Sequence, residues 1–336
     1  MRRLAAAAFA LGAPLLLAAA VLAGLGYDPI AALAALLRGT VGSWERFLSV
    51  TLVRACPLLL TGLGVAVAFR AGIFNIGADG QFYLGALAAA AGGARAGLLG
   101  VLGAPLLLTA AALAGAGWAA IAAGLRRRFR VPEVISTLML NFVAELLVSY
   151  AVHGPLMERR GTYPQTDPVA ASARLPLLLP PSRLHAGVLL ALLIAPLIGW
   201  LLRSTVFGFR LRATGHNPIA ARFAGRFDAA RVQTRAFLLS GALAGLGGGI
   251  ELLGLTQALY EKFSPGYGYT AIAVALLARL NPLAVAGSAV FFGVLEGGAS
   301  AMQRESGVPA VVVYSVEALL ILGVLLSDRL WRRELA

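Results

Sequence analysis

Three polar side chains interrupt what would otherwise be an apolar helix. They are Asn75, Asp79 and Gln81, within Gly72-Ile73-Phe74-Asn75-Ile76-Gly77-Ala78-Asp79-Gly80-Gln81-Phe82-Tyr83. Amide and carboxylate groups at this spacing serve two kinds of chemistry: they hydrogen-bond a polar solute, or they cap helix ends and stitch a tight bend. In hydrocarbon, broken backbone survives only where protein or a watery cavity covers it. A carboxyl at that depth marks a functional site by default. For all three residues the two roles stay open.

Asn141 and Glu145 are four apart, hence on one helix face, and a paired polar face suits the lining of a pathway. Glu251, Glu296 and Glu317 also fall in apolar runs and should face a bundle interior; for the last two an inter-helix hydrogen bond is the expected role. A second interruption, Phe263-Ser264-Pro265-Gly266-Tyr267-Gly268-Tyr269-Thr270, leads into a short apolar run that stops at the turn Arg279-Leu280-Asn281-Pro282. Short Gly/Pro-interrupted segments in corresponding parts of two halves point to a transport site. Gly241, Gly245 and Gly249 form small-xxx-small steps, a close-packing face.

Catalysis finds no foothold. His153, His185 and His216 are scattered without metal-ligand spacing, and no nucleophile sits beside a base. The single cysteine, Cys56, excludes an intramolecular disulfide and multi-cysteine metal sites. The only lysine, Lys262, stands in no GxxxxGK[ST] motif, so the chain by itself is no P-loop ATPase. No cofactor is expected on this chain.

The elements that must position these residues are membrane helices. The 336 residues are 59 % hydrophobic and only 13 % charged, about half the ~25 % charge of a soluble domain. Apolar runs at about 4–25, 49–69, 78–94, 98–122, 134–152, 186–202, 236–257, 269–278, 283–301 and 309–326 predict an all-α integral membrane protein. It would have about ten transmembrane helices, a broken half-helix in each half (near 71–82 and 264–278), and one domain over 1–336. The first run is expected to stay as a helix rather than act as a cleaved leader.

With both termini cytoplasmic, eighteen basic residues fall inside and ten outside, as the positive-inside rule requires. The net charge of +13 is therefore a topology signal and implies no nucleic acid. The proline-punctuated stretch 154–185 reads as an irregular periplasmic cap loop. The stretch 203–235 carries seven arginines against Asp228 alone, with a short capped helix, Asn217-Pro218-Ile219-Ala220-Ala221-Arg222-Phe223-Ala224-Gly225. A docking element and a plain positive-inside loop both fit it.

Three ordered motifs carry a resemblance. Phe74–Gln81 resembles the NIG-acid-GQ segment of bacterial ABC importer permeases for ribose-type sugars and nucleosides. Glu133–Asn141 is similar to their E-V-I-x-T-L-M-L-N helix, and Ala213–Gly225 to their cytoplasmic G-x-N-P-x-A-A-R-x-A-G loop. Together with the glycine-rich stretches these cover about residues 50–300. The loop departs from the pattern at His216 and Arg226, where apolar residues are usual.

The resemblance implies one half of a translocation pore in the cytoplasmic (inner) membrane of a bacterium. The acid-Gly-Gln version looks closest to the first of two unlike nucleoside permeases, so a heterodimer with a second permease subunit is favoured over a homodimer. Cytoplasmic ABC ATPase subunits would hold ATP and Mg, and an extracytoplasmic substrate-binding lipoprotein would deliver the solute. A nucleoside is favoured, a pentose or other simple sugar next. Asn75, Asp79, Gln81, Asn141 and Glu145 are then the expected substrate pathway. Gly215, Asn217, Pro218, Ala221, Arg222 and Gly225 are the expected ATPase coupling loop, with Gly215 letting the chain turn in. The alternatives are an ion-coupled secondary transporter with Asp79 and Glu145 as carriers, a branched-chain amino acid ABC permease, and a non-transporting membrane scaffold.

Overall fold

The computed structural model describes residues 16, 17, 19–225, 227–309 and, beyond these, only 311, 312, 315, 318 and 319. The described residues form helices joined by turns and irregular segments, with no strand among them. Helices are α1 (Pro29–Thr40), α2 (Trp44–Arg70), α3 (Ala78–Gly93), α4 (Gly103–Phe129), α5 (Glu133–His153), α6 (Ala186–Ser204), α7 (Val206–His216), α8 (Pro218–Gly225), α9 (Ala229–Glu251), α10 (Tyr267–Leu277) and α11 (Pro282–Ser306). Six apolar helical stretches are long enough to cross a membrane: α2, α4 with the 3-10 turn before it, α5, α6, α9 with the π turn after it, and α11. α3 and α10 are the two shorter helices at the sequence interruptions. The expected runs at 309–326 and 4–25 lie for the most part outside the described residues, and both termini, Glu317 and Arg226 lie outside them altogether.

Contacts divide the chain into two compact units. The first holds residues up to Arg54 and from Val290 onward. Its α1 falls in a stretch with no predicted helix, although Asp28-Pro29 is an N-terminal signal. Asp28 Oδ1 accepts from the Ile30 and Ala31 amides, and Pro29 occupies the first helical position. Arg38 pairs with Glu305 at 3.1 Å and Arg54 with Glu296 at 3.6 Å. The second pair gives Glu296 the inter-helix role expected of it.

The second unit, Ala55–Ala289, is built around α9. The glycine face expected on α9 is where α3 and α4 meet it. A Cβ on Gly245 would lie 2.4 Å from the Ala111 carbonyl oxygen and 2.9 Å from Gly115 Cα, and one on Gly85 2.2 Å from the Gly245 oxygen. Phe82 lies against Gly247 and Gly248 of α9, and Phe237 packs with Ile73, Ala119, Ala122 and Ala123; both rings are fully buried. Arg130 in the left-handed conformation (φ 57°) ends α4, and Pro132 follows it.

The stretch 154–185 is irregular, as its prolines predict, and is pinned by backbone to the segment after α9. Thr166 N donates to Leu259 O, Val169 N to Gln257 O and Leu175 N to Leu253 O. In this loop the Gln165 side chain and the Tyr163 and Thr162 amides hold the Glu158 carboxyl below the usual carboxylate range. Burial pushes the His185 imidazole, just ahead of α6, down to about 4.

Candidate functional site

Both interrupted segments meet inside the second unit. After α2 the chain turns at Gly72 (φ 74°) and runs non-helical through Asn75 before α3 begins at Ala78. The second interruption ends at Gly266 (φ 100°), and α10 starts at Tyr267. The N-termini of α3 and α10 face each other across Asp79. Its Oδ1 accepts from the Gly268 amide at 2.9 Å and from Ser264 Oγ at 2.8 Å. Ser264 Oγ in turn accepts from the Gly266 and Tyr267 amides. One carboxylate thus serves amide groups left unpaired at the start of α10, where the helix dipole also favours negative charge. A Cβ on Gly268 would lie 2.1 Å from Asp79 N, so only glycine permits this approach.

The remaining polar groups extend the same network. Asn75 and Gln81 pair reciprocally: Asn75 Nδ2 donates to Gln81 Oε1 at 2.9 Å, and Gln81 Nε2 to Asn75 Oδ1 at 3.1 Å. Asn75 also donates to Ser240 Oγ on α9 and accepts from the Gly77 amide. Asn141 on α5 accepts from the Gly80 amide and donates to Ile76 O and to the Tyr269 hydroxyl. The Tyr83 hydroxyl donates to Ser264 O and accepts from Ser264 N.

Asn75, Asp79, Gln81 and Asn141 are all buried, and their hydrogen bonds hold backbone and one another. Glu145, one turn beyond Asn141, is half-buried and makes no hydrogen bond or ion pair with a described residue. Its charge acts on Asp79 and Tyr83. Of the five expected residues it alone has neither carboxylate oxygen engaged, while Asp79 engages Oδ1.

Sequence reasoning missed Ser240, Ser264, Tyr83, Tyr269 and Trp118. The Trp118 indole N–H is buried without a partner and abuts Gly80. Ser264-Pro265-Gly266 carried a cap signal; the others are joined to the site by contacts far apart in sequence, which no local pattern encodes.

Asp79→Ala should be severe, because it strands the Gly268 amide and the Ser264 hydroxyl, each at a cost of about 1–3 kcal/mol. Asp79→Asn keeps an acceptor oxygen and should be milder. Thermal unfolding of the two purified variants checks this, and equal melting would contradict it.

Against the turn that follows α2 the arginine-rich loop forms two helices, α7 and α8. Asn217 caps α8, its Oδ1 accepting from the Ile219 and Ala220 amides at 3.0 Å each. Pro218 opens the helix. Arg222 is exposed on it, with Ile219 (69 %) and Phe223 (81 %), four apart on one face, standing out. Ala221 is buried and packs inward. Gly215 makes no turn: it lies in the last turn of α7, where a Cβ would collide with the Arg70 carbonyl oxygen. Its role is close approach to the end of α2, and the turn falls at Asn217. Gly225 is the last residue of α8, and Arg226 lies outside the described residues.

A family model described as branched-chain amino acid transport system / permease component matches residues 47–326. The chain belongs to this family. Among similar proteins, the glucose ABC transporter permease protein TsgB13 of Haloferax volcanii is 39 % identical over 97 % of this chain and 90 % of its own length. The guanosine ABC transporter permease protein NupP of Bacillus subtilis is 37 % identical over 89 % of this chain and 86 % of its own. A second guanosine permease protein of that organism, NupQ, is 29 % identical over 72 % of this chain and 78 % of its own. No solved structure matches the chain. This family member is a multi-pass membrane permease, and the six apolar helices agree with that.

Proposed function

We propose that this permease is one of two unlike membrane subunits of an ABC importer that carries a nucleoside, or next a simple sugar, inward across the cytoplasmic membrane. The observation that carries the reading is the head-to-head meeting of two half-helices at Asp79 beside the uncommitted carboxylate of Glu145. Broken helices meeting at membrane depth are how transporters build solute sites.

In this reading Asn75, Asp79, Gln81 and Asn141 border the pathway by fixing its backbone, and Glu145 reaches the solute. A carboxylate accepts hydrogen bonds from sugar hydroxyls, which guanosine and glucose share, the solutes named for NupP and TsgB13. Likeness to both NupP and NupQ supports a heterodimer, and the higher identity to NupP supports a place like that of NupP rather than of NupQ. The chain would span the membrane about ten times with both termini in the cytoplasm, as a single permease domain. ATP and Mg would sit on cytoplasmic ATPase subunits docked at α8, and a substrate-binding lipoprotein would deliver solute to the 154–185 side.

The substrate is tested by identifying the ligand that co-purifies with the binding protein encoded beside this chain. A nucleoside or a simple sugar is expected; a branched-chain amino acid would overturn the reading.

A further inference from the structure

Three guanidinium groups lie at the ends of α2 and α6 and within the adjoining α7, on the side of the second unit that bears α8. Arg70, the last residue of α2, donates through Nε to Leu280 O at 2.8 Å. Arg203, in the last turn of α6, reaches Asn281 Oδ1 at 3.4 Å. Arg212 lies on α7, and that helix is locked to the end of α2 by the close approach of Gly215 to the Arg70 carbonyl. The charges that act on Arg70 are those of Arg212 and Arg203, both repulsive.

No acid pairs with any of the three among the described residues. The ion pairs on this side are Arg126 with Glu133 and Arg231 with Asp228. Arg70 and Arg203 have an ordinary explanation, since both donate to the turn after α10, where a helix C-terminus attracts cations. Arg212 does not share it. Its Nη1 is buried and donates to nothing in the described protein.

A buried, unused guanidinium donor among like charges calls for an anion. A guanidinium presents donors in a planar fork that matches phosphate oxygens, and charge-assisted bonds of this type are the strong ones. The ends of α2 and α6 also lie where an apolar span gives way to a polar face, the depth of lipid headgroups. Basic pockets between membrane helices there are suited to anionic headgroups. We infer that Arg70, Arg203 and Arg212 form a binding site for a phosphate group, supplied by an anionic phospholipid headgroup or by free phosphate. The site clamps α2, α6 and α7 together through one anion, next to the helix that carries the proposed coupling segment. It depends on these three side chains and stands or falls apart from the identity of the transported solute.

The test uses the purified full-length permease, delipidated in detergent. Phosphatidylglycerol, phosphatidylcholine or inorganic phosphate is added, with bound lipid counted by native mass spectrometry and stability followed by thermal unfolding. Phosphatidylglycerol is expected to bind and stabilise the wild type, and Arg212→Gln to weaken that binding by about tenfold. Arg127→Gln, at an exposed arginine of α4, should bind as the wild type does. Stabilisation by inorganic phosphate that Arg212→Gln abolishes would identify free phosphate as the source; an effect of phosphatidylglycerol alone would identify the headgroup. Should Arg212→Gln fail to fold, Arg203→Gln, at an exposed position, must show the weakened binding. The site is overturned if neither anion distinguishes the wild type from these variants, or if phosphatidylcholine stabilises as strongly as phosphatidylglycerol.

Discussion

Gly245→Leu is expected to abolish accumulation of folded permease. The new side chain would start 2.4 Å from the Ala111 carbonyl oxygen and 2.9 Å from Gly115 Cα, and both are backbone. Flexible side chains yield to an added methyl group; paired helix backbones do not. Overpacking an ordinary core site costs about 1–3 kcal/mol. Here a leucine must push α9 off α4, and the same backbone also bears on Gly85 of α3. Ser240, one helical turn and a residue earlier on α9, would lose its place beside Asn75, so the polar network would fail with the packing. Gly117→Ala supplies the control, because a Cβ there meets nothing within 4 Å. That change should leave stability unaltered or raise it by up to about 1 kcal/mol. The measurement is the yield of monodisperse protein and its melting temperature. A Gly245→Leu variant that purifies and melts like the wild type would contradict the packing described.

A second large effect is expected at α8, with the opposite signature. Phe223→Asp and Arg222→Glu should fold and insert normally, because both side chains are exposed on the described protein. Each should nevertheless lose ATP-driven uptake and association with the ATPase. Eight residues make a helix too short to persist alone, since isolated helices below ~12–15 residues are marginal. α8 is held on one side by Ala221 packing inward and by the Asn217 cap, while Ile219 and Phe223 stand uncovered on it. A buried aromatic anchor at an interface contributes about 2 kcal/mol or more, so its loss should weaken the partner at least about thirtyfold. Uptake in proteoliposomes and co-purification of the ATPase read the effect. Unchanged values for both variants would make the segment an ordinary positive-inside loop.

How far the fold could be read from sequence differs by element. Spans such as α5 and α6 are legible because hydrocarbon demands about 20 apolar residues and leaves few alternatives. The two broken segments are legible for the converse reason: Gly72, Asn75, Asp79, Ser264 and Pro265 are residue types that continuous lipid-facing helix does not tolerate. α1 escaped because its 12 residues are too few for a span, though Asp28-Pro29 announced its start.

Within the site, the residue types were visible but their division of labour was not. Nothing local tells that Asn75 spends its amide on Gln81 and Ser240, or that Asn141 reaches Gly80, Ile76 and Tyr269. Apart from the Asn75–Gln81 pair, six residues apart, those bonds join distant segments, so capping and solute binding cannot be separated until the partners are in place. Gly215 shows the same limit from another side. A glycine before Asn-Pro reads as a turn, whereas the constraint on it is the carbonyl of Arg70, far away in sequence.

The central claim is ATP-driven import through a pore that this permease shares with a second subunit. Its most direct test is solute flux into proteoliposomes holding this chain, the partner permease and the ATPase, with the loaded binding protein outside. Uptake is predicted only when ATP reaches the ATPase and all the subunits are present. Uptake by this chain alone, driven by a proton or sodium gradient without ATP, would contradict it.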